Sequence, residues 1–551
     1  MKTIKLALLS FTLLSTQMSL ALSKDVLTIG MSAEFENLNP LITTTAATKY
    51  MLYLAWRPLV YLTPDNEWKP LMIKKIPSLE NKLAKKKGAG LEATIEIIEK
   101  AKWGDGTPVT CRDVEFAWQV GKSKNVSNPN REPYENITSI VLDKANPKKC
   151  TLTFAKTKYD YTMTMPDLLP AHLEGEVFKQ FESKPEGYDL NSLYTKNPTN
   201  PGLYFGPYVI SEVKLGSHLI FTPNPHFYGK APEFKKIVFK LVPNNATLEA
   251  NLRSGIIDMI SSTAGLGLDQ AVIFEKKVKS ENLPYNVVFE DGVVYAHIDL
   301  NLDNPILSDL KVRKALLMSF NKKEMIQTLL EGRGRPAQHF VTEKDPWFTD
   351  KVATYAYSKR EASKLLDEAG WKMGPQGIRE KNGQKLSLNL RAASGAKLNE
   401  MIEVYLQEKF KAVGIELLVK NEPPRVFFGE TVSRRKFDLA MYSWVSVPEN
   451  SPRSTLHSSM IPSAANSWAG QNYPGYKNLE VDRWIEKLEE ELNPKGRAQL
   501  AKKIVEAYVA DIPVIPVYYR PNNTVIPKAM KGFRLSGHVF YETLTAENWS
   551  L

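Results

Sequence analysis

The stretch WGDGTPVTCRDVEFAW, residues 103–118, places three acids, an arginine, a cysteine and two tryptophans in sixteen positions. This density of reactive side chains admits two interpretations, a catalytic or metal-binding site and a piece of scaffold. Gly104-Asp105-Gly106 is typical of a tight turn, because glycine tolerates positive φ. Thr110 and Asp113 have the T-x-x-D spacing close to a capping box, in which side chains satisfy free backbone N–H groups at a helix start. The spacing predicts a turn and a capped helix, and it favours scaffold over catalysis.

Elsewhere the chain carries no catalytic or metal-binding pattern. Its seven histidines are isolated, with no H-x-x-x-H pair and no cysteine partner at ligand spacing. It contains no G-x-S-x-G nucleophile motif and no G-x-x-x-x-G-K-[ST] phosphate loop. We therefore expect no catalytic residue, no metal and no cofactor, and a protein that is not an enzyme.

The charge of the chain is positive but evenly spread. Its 72 basic and 61 acidic residues give a formal net charge of +11, and the densest basic run is Lys85-Lys86-Lys87. Without a basic tail, zinc-ligand spacing or an RNA-binding aromatic motif, nucleic acid is not an expected partner. The length of 551 residues predicts about two to four domains, and the 43% hydrophobic content is that of a soluble globular protein.

The N-terminus has the composition of an export signal. Lys2 and Lys5 precede the apolar run 6–14, and Ser19-Leu20-Ala21 supplies small residues at −3 and −1. We expect a secretory signal peptide over residues 1–21, cleaved after Ala21, and a periplasmic mature protein. No cysteine near the cleavage site is available for a lipid anchor, and no later stretch approaches the ~20 apolar residues of a membrane span.

Two cysteines, Cys111 and Cys150, are present in the whole chain. An exported protein can pair them as a disulfide. The alternative is two unpaired buried thiols, since Cα atoms more than ~7 Å apart cannot be bridged. The sequence leaves both possibilities open.

Six segments, in chain order, resemble the extracytoplasmic solute-binding proteins of family 5, the oligopeptide/dipeptide/nickel transporter class. The first is the quoted W-x-DG-x-PVT-x-x-DV-x-x-x-W run of residues 103–118. Any one motif is weak evidence for the family. The six motifs together occur in the family's order and span essentially the whole mature chain. The other five are GPYVISEVKLGSHLIFTPNPHFYG (206–229), DLKVRKALLMSFNKKEMI (309–326), ASKLLDEAGW (362–371), LQEKFKAVGIEL (406–417) and NYPGYKNLEVDRWIEKL (472–488).

The resemblance implies an α/β, bilobal periplasmic-binding-protein fold of the large three-domain type, with two α/β lobes joined by a hinge and an extra inserted domain. Residues 311–420 support one lobe independently, because helical and strand patterns alternate there. The implied boundaries are domain I over 22–65, 204–296 and 516–551, the inserted domain II over 66–203, and domain III over 297–515.

The resemblance also implies a function. Such a protein captures a short peptide or peptide-like solute by hinge closure and delivers it to an inner-membrane ABC permease with separate ATPase subunits. We expect it to act as a monomer and to perform no chemistry. Three alternatives stay open: a receptor for a non-peptide solute such as a metal chelate, a sugar or another small ion; an exported hydrolase; and a chaperone or scaffold.

Four candidate ligand-binding residues lie in the first 204 positions. In the family, the end of the first strand lines the cleft, and by motif position this places Glu34 and Phe35 there. Tyr134 is a candidate for the inserted domain's side of the cleft. Tyr204, at the return into domain I, is another.

A second candidate cleft segment is LAMYSWVSVPENSPRS, residues 439–454. Tyr442, Ser443 and Trp444 are expected at the end of a strand, where tryptophan can form an apolar wall. Backbone groups from Ser443 to Ser446 can pair with an extended ligand as an added strand. The alternative is that Tyr442 and Trp444 belong to the core.

The same segment departs from the family pattern. Peptide-binding members usually carry an aspartate just after the tryptophan, which pairs with the ligand's α-amine, whereas here residues 445–448 read VSVP. Glu449 is the nearest acid, and it is either the amine acceptor or a surface acid of the loop. Arg453 either binds a ligand carboxylate in bidentate fashion or pairs with Glu449.

Overall fold

The computed structural model describes residues 25–43, 45–445, 447–466 and 468–551. The expected signal peptide and Ser446 lie outside the described residues. Strands and helices alternate along the described chain, which confirms the α/β class. The strands are β1 (Val26–Met31), β2 (Val60–Leu62), β3 (Trp68–Pro70), β4 (Ala84–Lys87), β5 (Gly90–Glu96), β6 (Ile137–Leu142), β7 (Lys149–Phe154), β8 (Tyr208–Lys214), β9 (His218–Pro223), β10 (Lys236–Leu241), β11 (Met259–Ile260), β12 (Tyr285–Leu300), β13 (Arg335–Pro336), β14 (Lys372–Met373), β15 (Arg379–Lys381), β16 (Gln384–Lys385), β17 (Ser387–Ala393), β18 (Glu416–Glu422), β19 (Leu439–Val445) and β20 (Val514–Pro527).

The helices begin at side-chain caps in many cases, as at Thr45, Thr110, Asn244 and Asn478. Such caps satisfy backbone N–H groups that a helix start leaves free. The helices are α1 (Ala46–Leu52), α2 (Cys111–Lys122), α3 (Glu132–Asn136), α4 (Ala171–Phe181), α5 (Gly187–Asn191), α6 (Leu193–Lys196), α7 (Asn245–Arg253), α8 (Leu268–Ser280), α9 (Leu310–Met318), α10 (Lys322–Leu330), α11 (Lys359–Glu368), α12 (Lys397–Lys411), α13 (Pro424–Val426), α14 (Arg453–Leu456), α15 (Leu479–Glu490) and α16 (Pro494–Asp511).

One large sheet runs through the molecule in the order β18-β17-β19-β12-β20-β11-β1-β10-β9-β8. We call the part built on β1 and β8–β11 the first lobe and the part built on β17–β19 the second lobe. In each lobe the central strands are parallel, β1 with β10 and β11, and β17 with β18 and β19. Parallel neighbours require crossover connections, which are the helices.

Two long antiparallel strands join the lobes. β12 and β20 pair from Tyr285 opposite Pro527 to Asp299 opposite Val514, with two register shifts. The implied domain borders at 296/297 and 515/516 therefore fall inside these strands, and all of the implied borders remain predictions. Each lobe has its own apolar core, one around β17–β19 with α9–α12 and one around β1 and β8–β10. Two strands crossing between separate cores form a hinge-like connection.

The quoted stretch of residues 103–118 forms a turn and a capped helix, as predicted. Thr110 accepts from the N–H of Arg112, and the Asp113 carboxylate accepts from the N–H of Thr110 at 2.7 Å. Burial raises the pKa of Asp113 to about 6. Its oxygens are taken by Trp103, Thr110 and Ala171, so the carboxylate serves the scaffold.

Residues 66–203, predicted as domain II and called the inserted region below, contain a four-stranded antiparallel sheet in the order β4-β5-β7-β6. Cys111, the first residue of α2, is bonded to Cys150 in β7, with Cα atoms 6.0 Å apart. Of the two possibilities for the cysteines, the structure has the disulfide and not two free thiols. This bond links α2 to the sheet. Both cysteines are buried in the core of the inserted region.

Candidate functional site

A cavity of about 420 Å³ lies where the first lobe and the inserted region meet the end of β19 from the second lobe. Its size is that of small-ligand sites in proteins. Four parts of the chain converge on it: α1 with the residues after it, the inserted region, the segment 539–541, and the end of β19. Its walls include Lys49, Tyr53, Trp56, Trp68, Met163, Met165, Asp167, Val445, Phe540 and Tyr541.

Aromatic rings form a rigid wall of this cavity. The ring of Tyr53 is stacked between Trp56, at 6.1 Å between centroids, and Phe540, at 6.5 Å. Trp68 meets Phe540 edge to face at 5.5 Å. These rings, with Met163 and Met165, offer an apolar surface that adapts to different side chains, since thioethers fill irregular gaps.

Asp167 places a carboxyl group in this apolar wall. Burial raises the pKa of Asp167 to about 7, with Lys49 acting in the opposite direction. No Lys, Arg or His of the described residues forms an ion pair with Asp167, although such pairs are abundant elsewhere in the structure. A half-buried carboxylate without a cationic partner is electrostatically suited to a ligand amine.

Two further polar atoms of the cavity lining lack a partner. The Thr43 hydroxyl and the Trp68 indole N–H are buried and form no hydrogen bond with described protein atoms. Buried polar groups in native proteins are nearly always satisfied by protein, water or ligand. These atoms are therefore available to a polar ligand.

The end of β19 presents an open strand edge beside the cavity. On one side β19 pairs with β12 up to Val445, which lies opposite Val294. On the other side β17 pairs with Leu439–Met441 alone, so among the described residues no strand covers Tyr442–Val445 on that edge. Ser443 is exposed and Val445 lines the cavity. An extended chain can add to such an edge.

Trp444 and Tyr442 have different environments. The Trp444 ring is half-buried and stacks on Tyr473, with centroids 6.2 Å apart. Tyr442 is buried, and its hydroxyl donates to the Asp299 carboxylate at 2.5 Å. Tyr442 thus belongs to the core, and its polar end faces the interior.

Beneath Tyr442 lies a buried polar pair on β12. His297 Nε2 is 3.5 Å from Asp299 Oδ1. Burial lowers the pKa of His297 to about 4 and raises the pKa of Asp299 to about 7. Both groups therefore favour their neutral forms inside the protein.

Glu449 and Arg453 are each paired with another residue. The Glu449 carboxylate, 12% exposed, accepts from Arg497 at 3.3 Å. Arg453 binds Glu489 at 2.8 Å. Pairing of Arg453 with Glu449, one of the two expectations for this arginine, is not the arrangement of the structure. Because Arg497 already neutralises Glu449, this acid is a poor candidate for a ligand amine.

The four candidates from the first 204 positions do not line the cavity of Asp167. Tyr134 is buried with its ring packed on Gly121, and Tyr204 is fully buried with its hydroxyl donating to the Pro198 carbonyl. Glu34 is exposed and accepts from the N–H of Gly216. Phe35 packs against the core of the first lobe.

Sequence reasoning missed Asp167 and the aromatic wall. Asp167 stands in PDLLP, residues 166–170, where no spacing distinguishes it from a loop acid. Tyr53 and Trp56 follow a short helix with no motif of their own. Their shared role arises from segments that are distant in sequence, so no local signal marks it.

The inserted region also contacts the second lobe, and Tyr159 makes this contact. Its hydroxyl donates to the Glu449 carbonyl at 2.6 Å, and its N–H donates to the Glu489 carbonyl at 2.9 Å. Its ring lies 5.2 Å from the Arg497 guanidinium carbon and belongs to an apolar cluster of the second lobe. The inserted region is thereby fastened to the second lobe.

The described residues contain no group of three or more His, Cys, Asp or Glu placed to hold a metal ion. Nor does any helix among them have the length and apolarity to cross a membrane. The candidate site is thus a cavity between lobes, with an aromatic wall, one unpaired carboxylate and one open strand edge.

Known proteins resemble this chain over most of its length. The profile of bacterial extracellular solute-binding proteins, family 5, matches residues 76–465. The chain is 25% identical to the oligopeptide-binding protein AppA of Bacillus subtilis over 484 residues, 84% of this chain and 81% of that protein. It is 24% identical to the nickel-binding periplasmic protein of Escherichia coli over 455 residues, 82% and 81% of the two chains.

A solved structure shares the fold across nearly the whole length. The oligopeptide-binding protein of Thermus thermophilus, crystallised with a pentapeptide, superposes with a TM-score of 0.72 at 25% identity, covering 96% of both chains. The bilobal fold expected from the six motifs is confirmed.

Proposed function

The chain belongs to the bacterial extracellular solute-binding proteins of family 5, and we propose that its ligand is a short peptide or peptide-like solute held between the lobes. Proteins of this family bind peptides or small ligands and work with the permeases of ABC transporters. The observation that carries the proposal is the unpaired carboxylate of Asp167 in the aromatic wall of the cavity.

Asp167 takes the role of the aspartate that is missing after Trp444. An ammonium group in a partly desolvated cavity needs a counter-ion, and a charge-assisted hydrogen bond to a carboxylate supplies it. Glu449 is already neutralised by Arg497. The peptide's α-amine is therefore assigned to Asp167, and Lys49, an exposed lining residue, is suited to the opposite carboxylate end.

The main chain of the peptide is assigned to the open edge of β19. Backbone groups of Ser443 and Val445 are not covered by β17, and hydrogen bonds from them ignore side-chain identity. The side chains of the peptide then contact the aromatic and methionine wall. This arrangement accepts peptides of many sequences but requires that each peptide has a free α-amine.

Closure of the lobes completes the site. Ligand contacts made by both lobes favour the closed form, because a ligand stabilises the state to which it binds more tightly. β12 and β20 are the connecting strands, and the Tyr159 contact fastens the inserted region to the second lobe. No chemical step on the ligand is part of the proposal.

The protein acts outside the cytoplasm, as its family does. We propose further that it is a periplasmic monomer exported by a signal peptide cleaved after Ala21, and that it delivers its ligand to an inner-membrane permease driven by separate ATPase subunits.

Native mass spectrometry of the freshly purified protein tests the ligand class. A ladder of bound masses matching dipeptides to pentapeptides is expected. A single non-peptide mass, such as a metal chelate or a sugar, contradicts the proposal, and so does turnover of an added peptide library.

Calorimetry then tests Asp167. The tightest peptide found is titrated into the wild type and Asp167→Asn, and the expected loss of affinity is at least tenfold. The N-acetylated peptide should bind both proteins equally. Asp143→Asn, a turn carboxylate outside the cavity lining, is the matched control. Equal affinity of wild type and Asp167→Asn for the free-amine peptide would show that the amine binds elsewhere.

A further inference from the structure

A second cavity, of about 340 Å³, lies within the second lobe. It is bounded by the end of α9, the start of α10, the segment 353–357 and the end of α16. It shares no lining residue with the cavity between the lobes. The two cavities are therefore separate sites.

Two lysines line this second cavity, and Lys322, the first residue of α10, is the more buried of the two. Its Nζ donates to the Ala337 carbonyl at 2.8 Å. A protonated lysine has three donors, and no carboxylate of the described residues lies within ion-pair distance of this one. Two donor positions therefore have no partner among the residues that the structure describes.

The surroundings of Lys322 make this lack of a counter-ion costly. Burial lowers the pKa of Lys322 to about 7, with no opposite charge acting against that shift. The next residue, Lys323, is exposed. An ammonium group taken out of water without an anion either loses its proton or acquires an anionic partner.

The other walls of the cavity are mostly apolar. Phe320, Tyr355 and Ile512 line it, and the Tyr508 hydroxyl is engaged with Tyr295, so that Tyr508 presents its ring. Lys314 lies 5.7 Å from the centre of the Tyr355 ring and adds positive potential at this wall. The cavity thus combines an apolar body with a positively charged rim, of which Lys322 is the most buried part.

We propose that this cavity binds a small monocarboxylic acid with an apolar or aromatic body, whose carboxylate pairs with Lys322 Nζ and whose body packs on Phe320 and Tyr355. The carboxylate supplies the missing counter-ion, and the apolar body matches the walls. The ligand is distinct from the transported solute, because the cavity is separate from the one between the lobes.

Calorimetry with phenylacetate and its uncharged analogue phenylacetamide tests the proposal on the full chain. Phenylacetate should bind the wild type saturably, and phenylacetamide at least tenfold more weakly. Lys322→Met keeps the length of the side chain without its charge and should weaken phenylacetate binding at least tenfold. Lys364→Met, at an exposed lysine of α11 outside the cavity lining, should change it less than twofold.

Several results would overturn the proposal. These are equal binding of the two probes, no binding of phenylacetate up to millimolar concentration, and unchanged affinity in Lys322→Met. The affinities of the wild type for phenylacetate and phenylacetamide test the proposal even if Lys322→Met does not fold. Phenylacetate binding should persist in Asp167→Asn, and its loss there would place the probe between the lobes instead.

Discussion

The hydroxyl of Tyr159 donates a hydrogen bond to the main-chain carbonyl of Glu449 at 2.6 Å, across 290 positions of sequence. The same hydroxyl accepts from the N–H of Ser451 at 3.0 Å. One phenol oxygen thus links the inserted region to the loop that follows β19. That loop continues from the strand edge assigned to the peptide. The contact with the inserted region and the proposed ligand site therefore lie on one segment of the chain.

Tyr159→Phe is expected to weaken ligand binding at least fivefold. The change removes both hydrogen bonds of this hydroxyl, to the Glu449 carbonyl and from the Ser451 N–H, each worth about 1 kcal/mol, and so disfavours the closed form. Calorimetry measures the affinity, and small-angle scattering measures lobe closure. Tyr161→Phe is the control, because the Tyr161 hydroxyl donates to Pro77 within the inserted region. Wild-type affinity and scattering in Tyr159→Phe would contradict a closing role.

Affinity for a free-amine peptide is expected to fall as the pH drops below about 7. Burial raises the pKa of Asp167 to about 7, so its carboxylate becomes protonated in this range and loses its attraction for an ammonium group. Between pH 7.5 and 5.5 the loss should exceed about tenfold, while the peptide α-amine, with a pKa near 8, stays charged. Calorimetric titrations across this range measure the effect. Asp167→Asn should abolish the dependence, and an equally steep dependence there would assign it to another group.

Loss of the disulfide is expected to destabilise the protein without changing ligand affinity. Cys111 and Cys150 close a loop with a sequence separation of 39, which corresponds to about 3–4 kcal/mol of chain-entropy stabilisation. Urea unfolding of the double variant Cys111→Ser, Cys150→Ser measures the free energy, and the wild type unfolded with reductant should match it. A variant as stable as the oxidised wild type would contradict this expectation.

Asp299→Asn is expected to raise the melting temperature at pH 8 and to leave it nearly unchanged at pH 3.5. Burial raises the pKa of Asp299 to about 7, above its value in the unfolded chain. Stability from this group is therefore fully present below the unfolded pKa of about 3.9 and is lost as the pH rises through 7. Asparagine carries no charge and still accepts from Tyr442. The opposite order, with Asp299→Asn less stable than the wild type at pH 8, would show that the ionised carboxylate is stabilised in place.

Local chemistry made much of the fold predictable. The turn expected at residues 104–106 is found, and the helix after Thr110 begins with the expected cap. Helices and strands expected from 311 to 420 are found as α9, α11, β17, α12 and β18. Helix caps, and the patterns of apolar residues that distinguish helices from strands, involve residues a few positions apart. They can therefore be recognised in the sequence. The family resemblance, confirmed by the match over residues 76–465, extended these pieces to the whole fold.

The binding site was less predictable. Trp444 and Ser443 lie at the strand end where the motif placed them, whereas Tyr134, Tyr204 and Tyr442 are buried in cores. An aromatic residue next to a motif looks the same in sequence whether it faces a cleft or a core. The outcome depends on which distant surface packs against it.

Short-range patterns in the chain were enough to identify the class of protein, the order of its elements and the lack of metal and nucleophile motifs, because these depend on residues close together in the chain. Three features appeared only in the folded molecule: Asp167 meets an aromatic wall and the end of β19, Arg497 neutralises Glu449, and Lys322 has no counter-ion among the described residues. The energy of a charge depends on burial and on partners that folding brings from far away. A ligand site built from such charges therefore becomes visible when the lobes are assembled.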